Sequence, residues 1–339
     1  MKTIWKVILI AIAVGLVLAI LGLFMGASQS VVLNQKGVHI ADEIESRITE
    51  SNLSAFKNIN VKAGFSDVEL IKSDHYGVDA YSSESEWDWS LDNGTLSVTR
   101  KSHQTVWVMN FNFSTSSTSR NYLKIYFPDS AVFDSIDINA DSGDVNLGNL
   151  RADSVKISNS FGKVAVNSVV CDTLQVGTDS GDFSGSDITA RNLIYGNTFG
   201  KSVFKSIKAD RFTATCSSSS ITLSGCEFGN SVITSSFGEI RADSFTSSGL
   251  DMNLNSGDID LSGEFSGDTV IRSSFGTVSL VTSLKKDDYT YDLSNTFGDI
   301  TIDGDTRSGS NSSVKGGTAA ANSLRITVSS GDVEVRFGK

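Results

Sequence analysis

The sequence predicts an all-β protein whose main part is a parallel β-helix (β-solenoid) of about 19-residue coils. Three observations lead to this prediction. A glycine recurs at intervals of 19 or 38 residues, short segments alternate apolar and polar residues, and no long segment beyond residue 52 has a helical period. Alternation with a period of two is typical of half-buried strands, and a fixed repeat length is typical of stacked architectures. The full prediction adds an irregular β cap region and one N-terminal transmembrane helix.

The first element is an uninterrupted run of apolar residues and glycine over residues 7–27, preceded by Lys2 and Lys6. As a helix this run would span about 30 Å, the thickness of the hydrocarbon core of a bilayer. We therefore predict a cytoplasmic stub and transmembrane anchor over residues 1–30, in a single-pass protein of the cell membrane whose C-terminal domain is extracellular. The alternative is a cleavable signal peptide, for which Gly26-Ala27-Ser28 is a weak cleavage site.

Residues 31–52 are predicted to be a connector. Val38, Ile40, Ile44 and Ile48 have roughly the spacing of an amphipathic helix, with charged residues between them. A short helix or stalk and a solvated tether both fit this pattern.

Residues 53–139 are predicted to be an irregular β region that caps the solenoid. Ile59 and Val61 alternate with polar residues as in a strand, and Asp92-Asn93-Gly94 is a strong hairpin-turn signal.

Four apolar residues within this region, Trp107, Met109, Phe111 and Phe113, precede a serine-rich segment. An apolar hairpin of this kind is a possible contact surface for a membrane or a partner. An ordinary strand pair with a flexible tip is the alternative, and the pattern favours it.

Residues 140–339 are predicted to form the solenoid repeat domain. The repeated glycines are Gly143, Gly162, Gly181, Gly200, Gly238, Gly257 and Gly276, with Ser219 in register. We expect residue n to pair with residue n+19 in the next coil, about 4.8 Å away. A sandwich or propeller is the rival architecture, but propeller blades carry a tryptophan signature and no tryptophan follows Trp107. After Gly276 the spacing loosens, and residues 331–339 are expected to form the final edge.

The residue before the repeated glycine alternates between serine and phenylalanine, so the sequence period is 38 residues. The phenylalanines are Phe161, Phe199, Phe237 and Phe275. We expect them to pack flat over the small residues of the next coil. The alternative is an exposed aromatic track for sugars.

The residue after the glycine also follows a pattern, with Asp144, Lys163, Asp182 and Lys201 alternating in charge. We interpret it as a register device on a solvated surface, since stacked like charges would repel. A calcium site that pairs Asp141 with Asp144 and Asp179 with Asp182 is the alternative. The pattern disfavours it because the oxygen ligands are too few.

Composition limits the possible functions. The formal net charge is −11, which disfavours binding to nucleic acid. The three histidines are scattered, and no nucleophile motif or phosphate-binding loop is present. Cys171, Cys216 and Cys226 are predicted to be single buried thiols, although a Cys216–Cys226 bridge is possible. We therefore predict no catalytic residues, no cofactor, no metal and no enzyme.

Two motifs carry a resemblance to a known family. Residues 133–138 lead into Asp141-Ser142-Gly143-Asp144-Val145, and Ser160-Phe161-Gly162-Lys163-Val164 follows. These segments resemble the bacterial "putative adhesin" family, which consists of β-strand-repeat proteins of unknown function that are often membrane-anchored. The likeness spans roughly residues 53–339. The resemblance supplies no catalytic residues, and this chain departs from the family pattern in its strict serine–phenylalanine alternation.

The sequence thus predicts a membrane-anchored, extracytoplasmic β-solenoid that acts in adhesion or cell-envelope interaction. Its expected partner is a cell-envelope component, either a glycan or a membrane protein. One alternative is an accessory subunit of an envelope-stress sensing system that binds a membrane protein. A second alternative is a carbohydrate-active β-helix.

Overall fold

The computed structural model describes residues 12, 14–15, 30–34, 37–40, 45–83, 85–101, 108–110, 120–317 and 320–339. The predicted all-β class is confirmed, since strands make up nearly all of the regular structure in these residues. The predicted membrane span at residues 7–27 lies outside them except for Ile12, Val14 and Gly15. No helix in the described part of the chain is long and apolar enough to cross a bilayer.

The strands fall into three groups along the chain. The first group is β1 Ser30–Asn34, β2 Gly37–Ile40, β3 Ser46–Ser51, β4 Asn58–Gly64, β5 Asp67–Ser73, β6 Gly77–Ser82, β7 Trp87–Asp92, β8 Thr95–Arg100, β9 Val108–Asn110 and β10 Tyr122–Pro128. The second group is β11 Phe133–Ser142, β12 Val145–Phe161, β13 Val164–Ser180, β14 Phe183–Ser186, β15 Thr189–Lys205, β16 Lys208–Ser224, β17 Glu227–Phe237, β18 Ile240–Ser256, β19 Ile259–Phe265, β20 Asp268–Phe275 and β21 Val278–Lys285. The third group, after a 3-10 turn at Lys286–Asp288, is β22 Tyr289–Phe297, β23 Asp299–Ile302, β24 Asp305–Ser308, β25 Ser312–Gly316, β26 Asn322–Ser330 and β27 Val333–Gly338.

Parallel pairing with an offset of 19 residues organises the second group. Val145 pairs with Val164, and Ile259 pairs with Val278. The predicted n to n+19 register is therefore confirmed, with one irregularity between Ala242 and Phe245. The stacked side chains at this position are all buried: Val145, Val164, Phe183, Ser202, Ile221, Ile240, Ile259 and Val278. Each coil buries its apolar residues only against its neighbours, so the stack rather than any one coil holds the core.

The region before the repeat joins the same sheet of 24 strands. β4 pairs in parallel with β11, and β5 pairs in parallel with β12, so this segment stacks as one more coil. The predicted hairpin is also present, because Asp92 pairs with Thr95 across a two-residue turn in which Asn93 and Gly94 have positive φ.

The helical alternative for residues 31–52 is wrong for the residues described there. β1 and β2 pair antiparallel, and β3 pairs antiparallel with β6. Ile48 lies opposite Ala80 of β6, and both side chains are buried, because alternation along β3 turns Ile48 inward and its neighbours Arg47 and Thr49 outward.

The C-terminal strands are not in sequence order. β26 lies between β20 and β22, and β27 lies between β21 and β23. The last segment of the chain is thus inserted into the stack, and β22–β25 form the end of the sheet beyond it. The expectation that residues 331–339 form the final edge is wrong, since β27 is paired on both sides.

Candidate functional site

Six phenylalanines project into solvent along one corner of the stack. They are Phe65, Phe161, Phe199, Phe237, Phe275 and Phe297, with exposed fractions from 54% to 65%. We call this set the phenylalanine ladder. The predicted packing of Phe161, Phe199, Phe237 and Phe275 over the next coil is therefore wrong. Their position falls at the corner where the inward–outward alternation of the strand stops, directly before the turning residue of each coil.

The ladder has a regular spacing because a serine separates successive phenylalanines. In spatial order its rows are Phe65, Ser142, Phe161, Ser180, Phe199, Ser218, Phe237, Ser256, Phe275, Ser330 and Phe297. Coils are about 4.8 Å apart, so successive phenylalanines lie about 10 Å apart along the stack. The ladder therefore runs for roughly 50 Å along the molecule.

A second ladder lies two residues further along each coil, and we call it the charge ladder. In the same spatial order it consists of Asp67, Asp144, Lys163, Asp182, Lys201, Ser220, Glu239, Asp258, Thr277, Asp332 and Asp299.

Its aspartates hydrogen-bond along the stack, which the sequence did not indicate. Asp144 Oδ1 accepts from Lys163 N at 2.9 Å, and Asp182 Oδ1 accepts from Lys201 N at 2.9 Å. Asp67, Asp258 and Asp332 make the same bond to the following coil. The aspartates of the ladder thus fix register through hydrogen bonds to the backbone of the following coil.

The calcium alternative finds no support in this arrangement. In the described ranges, no group of three or more His, Cys, Asp or Glu side chains is placed to hold a metal ion. Asp144 and Asp182, two of the four carboxylates considered, already accept backbone hydrogen bonds with one oxygen each.

A shallow polar depression lies directly beside the phenylalanine ladder. It has a volume of about 420 Å³, and its lining includes Ser160, Gly177, Thr198 and Ser217. Its lining residues precede the ladder position in their coils, and none of the six phenylalanines of the ladder is among them.

The predicted contact residues on the apolar hairpin fall largely outside the described residues. Trp107, Phe111 and Phe113 are not described, and Met109 is described only as part of β9. β9 pairs antiparallel with β1, with Met109 opposite Val31. Their role as a partner contact stays a prediction.

The cysteines are free and buried, as predicted, and no disulfide joins Cys216 to Cys226. Burial raises the pKa of Cys171 to about 12 and that of Cys216 to about 11. A thiol that is mostly protonated and shielded is a poor nucleophile. These residues therefore act as small core side chains.

Comparisons with known proteins give one family match. The model of the family described as Toastrack DUF4097 matches residues 56–193 and residues 172–336. No curated protein matches the chain. The matched ranges include both motifs that carry the sequence resemblance, and the prediction of a putative-adhesin family of unknown function is confirmed.

Two solved structures are similar to the chain. A crystal structure described as a putative adhesin from Bacteroides fragilis is 17% identical with a TM-score of 0.43, covering 63% of this chain and 96% of that one. A crystal structure described as a putative cell adhesion protein from Clostridium sporogenes is 11% identical with a TM-score of 0.20, covering 87% of this chain and 100% of that one.

Proposed function

This chain belongs to the Toastrack DUF4097 family, and from its exposed surface we propose that it is a non-enzymatic protein of adhesion or cell-envelope interaction. Residues 7–27 would anchor it in the cell membrane, with the β-domain outside. The observation that supports this function best is the phenylalanine ladder. Six half-exposed phenylalanines leave roughly 700 Å² of aromatic surface in water, taking about 200 Å² for a whole ring-bearing side chain. Exposed apolar area on this scale typically marks an interaction site.

The form of the surface favours binding over catalysis. The ladder is long and regular, and the depression beside it is shallow, whereas small-molecule sites are concave and enclose their ligand. A regular row of apolar rings suits an extended partner that touches many coils at once. The expected partner is a cell-envelope component.

The proposal is tested by displaying the full chain on bacterial cells that lack it and measuring cell adherence. One variant replaces all six phenylalanines of the ladder by serine, the residue that the alternate rows already carry. The matched control replaces four exposed apolar residues elsewhere on the coils by serine: Val170, Ile194, Val203 and Val232.

We expect the ladder variant to lose at least nine-tenths of the adherence and the control to retain it. Equal adherence of cells displaying the two variants would show that the ladder does not contribute to adherence. Recovery of a membrane sensor with the wild type but not with the ladder variant would favour the accessory-subunit alternative. Polysaccharide turnover lost on a single acidic substitution would favour the carbohydrate-active alternative.

A further inference from the structure

Successive phenylalanines of the ladder are separated by a space that is about as wide as one phenylalanine side chain. Each phenylalanine row is followed by a serine row, and two successive phenylalanine rows lie about 10 Å apart. That gap accommodates one aromatic ring of a partner with the same spacing. A second copy of this chain presents rings with the matching spacing along the whole length.

We propose that the phenylalanine ladder docks against the phenylalanine ladder of a second copy that runs in the opposite direction. The two ladders are offset so that each phenylalanine of one copy lies over a serine row of the other. The resulting pairs are Phe297 with Ser142, Phe275 with Ser180, Phe237 with Ser218, Phe199 with Ser256 and Phe161 with Ser330. Phe65 extends beyond the contact.

Symmetry requires the opposite direction. In a parallel dimer with a twofold axis along the stack, each phenylalanine lies at the same height as its own symmetry mate. Rings then meet rings and the ladders cannot interdigitate. An antiparallel dimer has its twofold axis across the stack, and placing that axis between the rows of Ser218 and Phe237 makes every ring except that of Phe65 meet a serine.

The charge ladder favours this offset over the interdigitated offset that lies one row nearer the N-terminal end. In the proposed offset, Lys163 faces Asp332 and Lys201 faces Asp258 of the second copy. These lysines and aspartates lie on the solvated side of the coils. Each lysine thus meets a carboxylate, while one like-charge pair remains, Asp144 against Asp299.

Shifting the axis by one row toward the N-terminal end gives a worse match. Asp182 then faces Glu239, Asp67 faces Asp332, and Lys201 faces only Ser220. Two like-charge pairs oppose the single remaining lysine–carboxylate pair. Like charges directly opposite each other destabilise an interface, so charge complementarity favours the first offset.

The area is sufficient for a stable dimer. Five phenylalanines of each copy contribute roughly 600 Å² of exposed aromatic surface, taking about 200 Å² for the whole side chain. The serine rows and the flanking charges bring the contact near the ~800 Å² per partner of a standard interface.

In an antiparallel pair the two N-terminal ends point apart, which fits chains anchored in opposing membranes. This inference rests on the proposed adhesive function, since it names the partner of the same surface.

Thiol cross-linking of the full chain in pelleted cells that display it, in which the membranes of neighbouring cells touch, tests the arrangement. Ser220 lies in the row next to the proposed twofold axis. The two thiols that Ser220→Cys introduces, one in each copy, therefore lie within one row of each other along the stack. Thr277→Cys is the control, because its symmetry mate lies five rows away, roughly 24 Å along the stack. The native cysteines are buried and give little background with a short bis-maleimide.

We expect a cross-linked dimer from Ser220→Cys and at least tenfold less from Thr277→Cys. Adding Phe199→Ser and Phe237→Ser should abolish the product, whereas adding Val170→Ser and Val232→Ser should leave it unchanged. No dimer from Ser220→Cys, with the thiol shown to react with a monofunctional maleimide, would overturn the inference. Equal cross-linking at both sites would overturn the antiparallel arrangement.

A mixed-cell assay separates this inference from the proposed function. Cells that display the chain are mixed with cells that do not. Ladder-dependent adherence to cells without the chain, together with no Ser220→Cys dimer, would leave the adhesive function standing and reject a second copy as the partner. Absence of ladder-dependent adherence to either population would reject the adhesive function itself.

Discussion

The close approach of successive coils at the repeated glycine gives the sharpest test of the fold. Gly162 has a φ of +116°, and a Cβ placed there would lie 2.8 Å from the carbonyl carbon of Gly143 in the preceding coil. The unusual φ costs a residue with a side chain about 1–3 kcal/mol. Forcing an extra atom against packed backbone costs a further ~1–3 kcal/mol. We therefore expect Gly162→Ala to lower the free energy of unfolding by about 4 kcal/mol.

Two other glycines separate the conformational cost from the steric cost. Gly225 has a φ of +60°, but nothing lies within 4 Å of the position that a Cβ would take, so Gly225→Ala should cost only about 1–2 kcal/mol. Gly177 has open space and no left-handed φ. Gly177→Ala should therefore leave the free energy of unfolding unchanged or raise it by about 0.4–1 kcal/mol, because alanine restricts the unfolded chain.

The assay is urea denaturation of the three purified full-length variants, followed by circular dichroism in the strand region. The expected order of stability is Gly177→Ala, then Gly225→Ala, then Gly162→Ala. If Gly162→Ala costs no more than Gly225→Ala, the coils can separate locally and the backbone contact does not exclude a side chain. The explanation of the glycine repeat would then be wrong.

Three further perturbations test other parts of the structure. Asp182→Ala removes the acceptor for Lys201 N and should lower the free energy of unfolding by about 1 kcal/mol. Asp179→Ala, three residues away, is the control and should change it by less than about 0.5 kcal/mol. Equal losses of the two variants in urea denaturation would contradict the role of the charge ladder. Because burial raises the pKa of Cys171 to about 12 and that of Cys216 to about 11 from an ordinary 9.0, the unfolded chain releases these protons first and stability should fall from about pH 9 upward. Cys171→Ala should flatten that fall in denaturation curves between about pH 9 and 12, and an unchanged slope would argue against a buried neutral thiol. Deleting β26 and β27 removes strands paired on both sides, so limited proteolysis should cut within β22–β25; continued protection there would contradict the inserted order.

The sequence was sufficient to predict the register of the repeat because the same pattern of turning, outward and inward residues recurs in every coil. A turning residue, an outward polar residue and two inward apolar residues recur every 19 positions, as in Gly162-Lys163-Val164 and Gly257-Asp258-Ile259. Only stacking in register buries all of these apolar residues together. The predicted pairing followed from this local rule and did not depend on distant contacts.

The order of the C-terminal coils could not be predicted in the same way. Gly298-Asp299-Ile300 and Gly331-Asp332-Val333 both satisfy the rule for a coil, and either could stack on the coil of Val278. The structure pairs Val278 with Val333 and places Ile300 beyond it. The choice depends on how the long connection through β24 and β25 folds back, and local sequence does not rank the two orders.

The exposure of the phenylalanine ladder was missed because each phenylalanine lies an even number of residues after the inward-facing residues of the same strand. In the coil of Phe161, Val155, Ile157 and Asn159 are buried at steps of two, and Phe161 would follow them inward. The chain turns there, and the side chain points out. The strict alternation with serine was the available signal. A buried position that changed from phenylalanine to serine in every second coil would need another large side chain in each serine coil to fill the space, as Tyr195 does beside the buried Ser202.

The doubled period therefore carries information that the fold does not need. Stacking requires a repeat of 19 residues, and the buried positions vary from coil to coil without a strict 38-residue rule; Val164, Phe183 and Ser202 succeed one another in the same stack. The strict alternation is confined to an exposed position, Ser180 and Phe199 being one example of its two states. A period of two coils sets the distance between exposed rings at about 10 Å instead of about 5 Å, which leaves space for one ring between them. An array of adjacent phenylalanines would close that space, so the pattern is better explained by a partner that inserts between the rings than by packing within the chain.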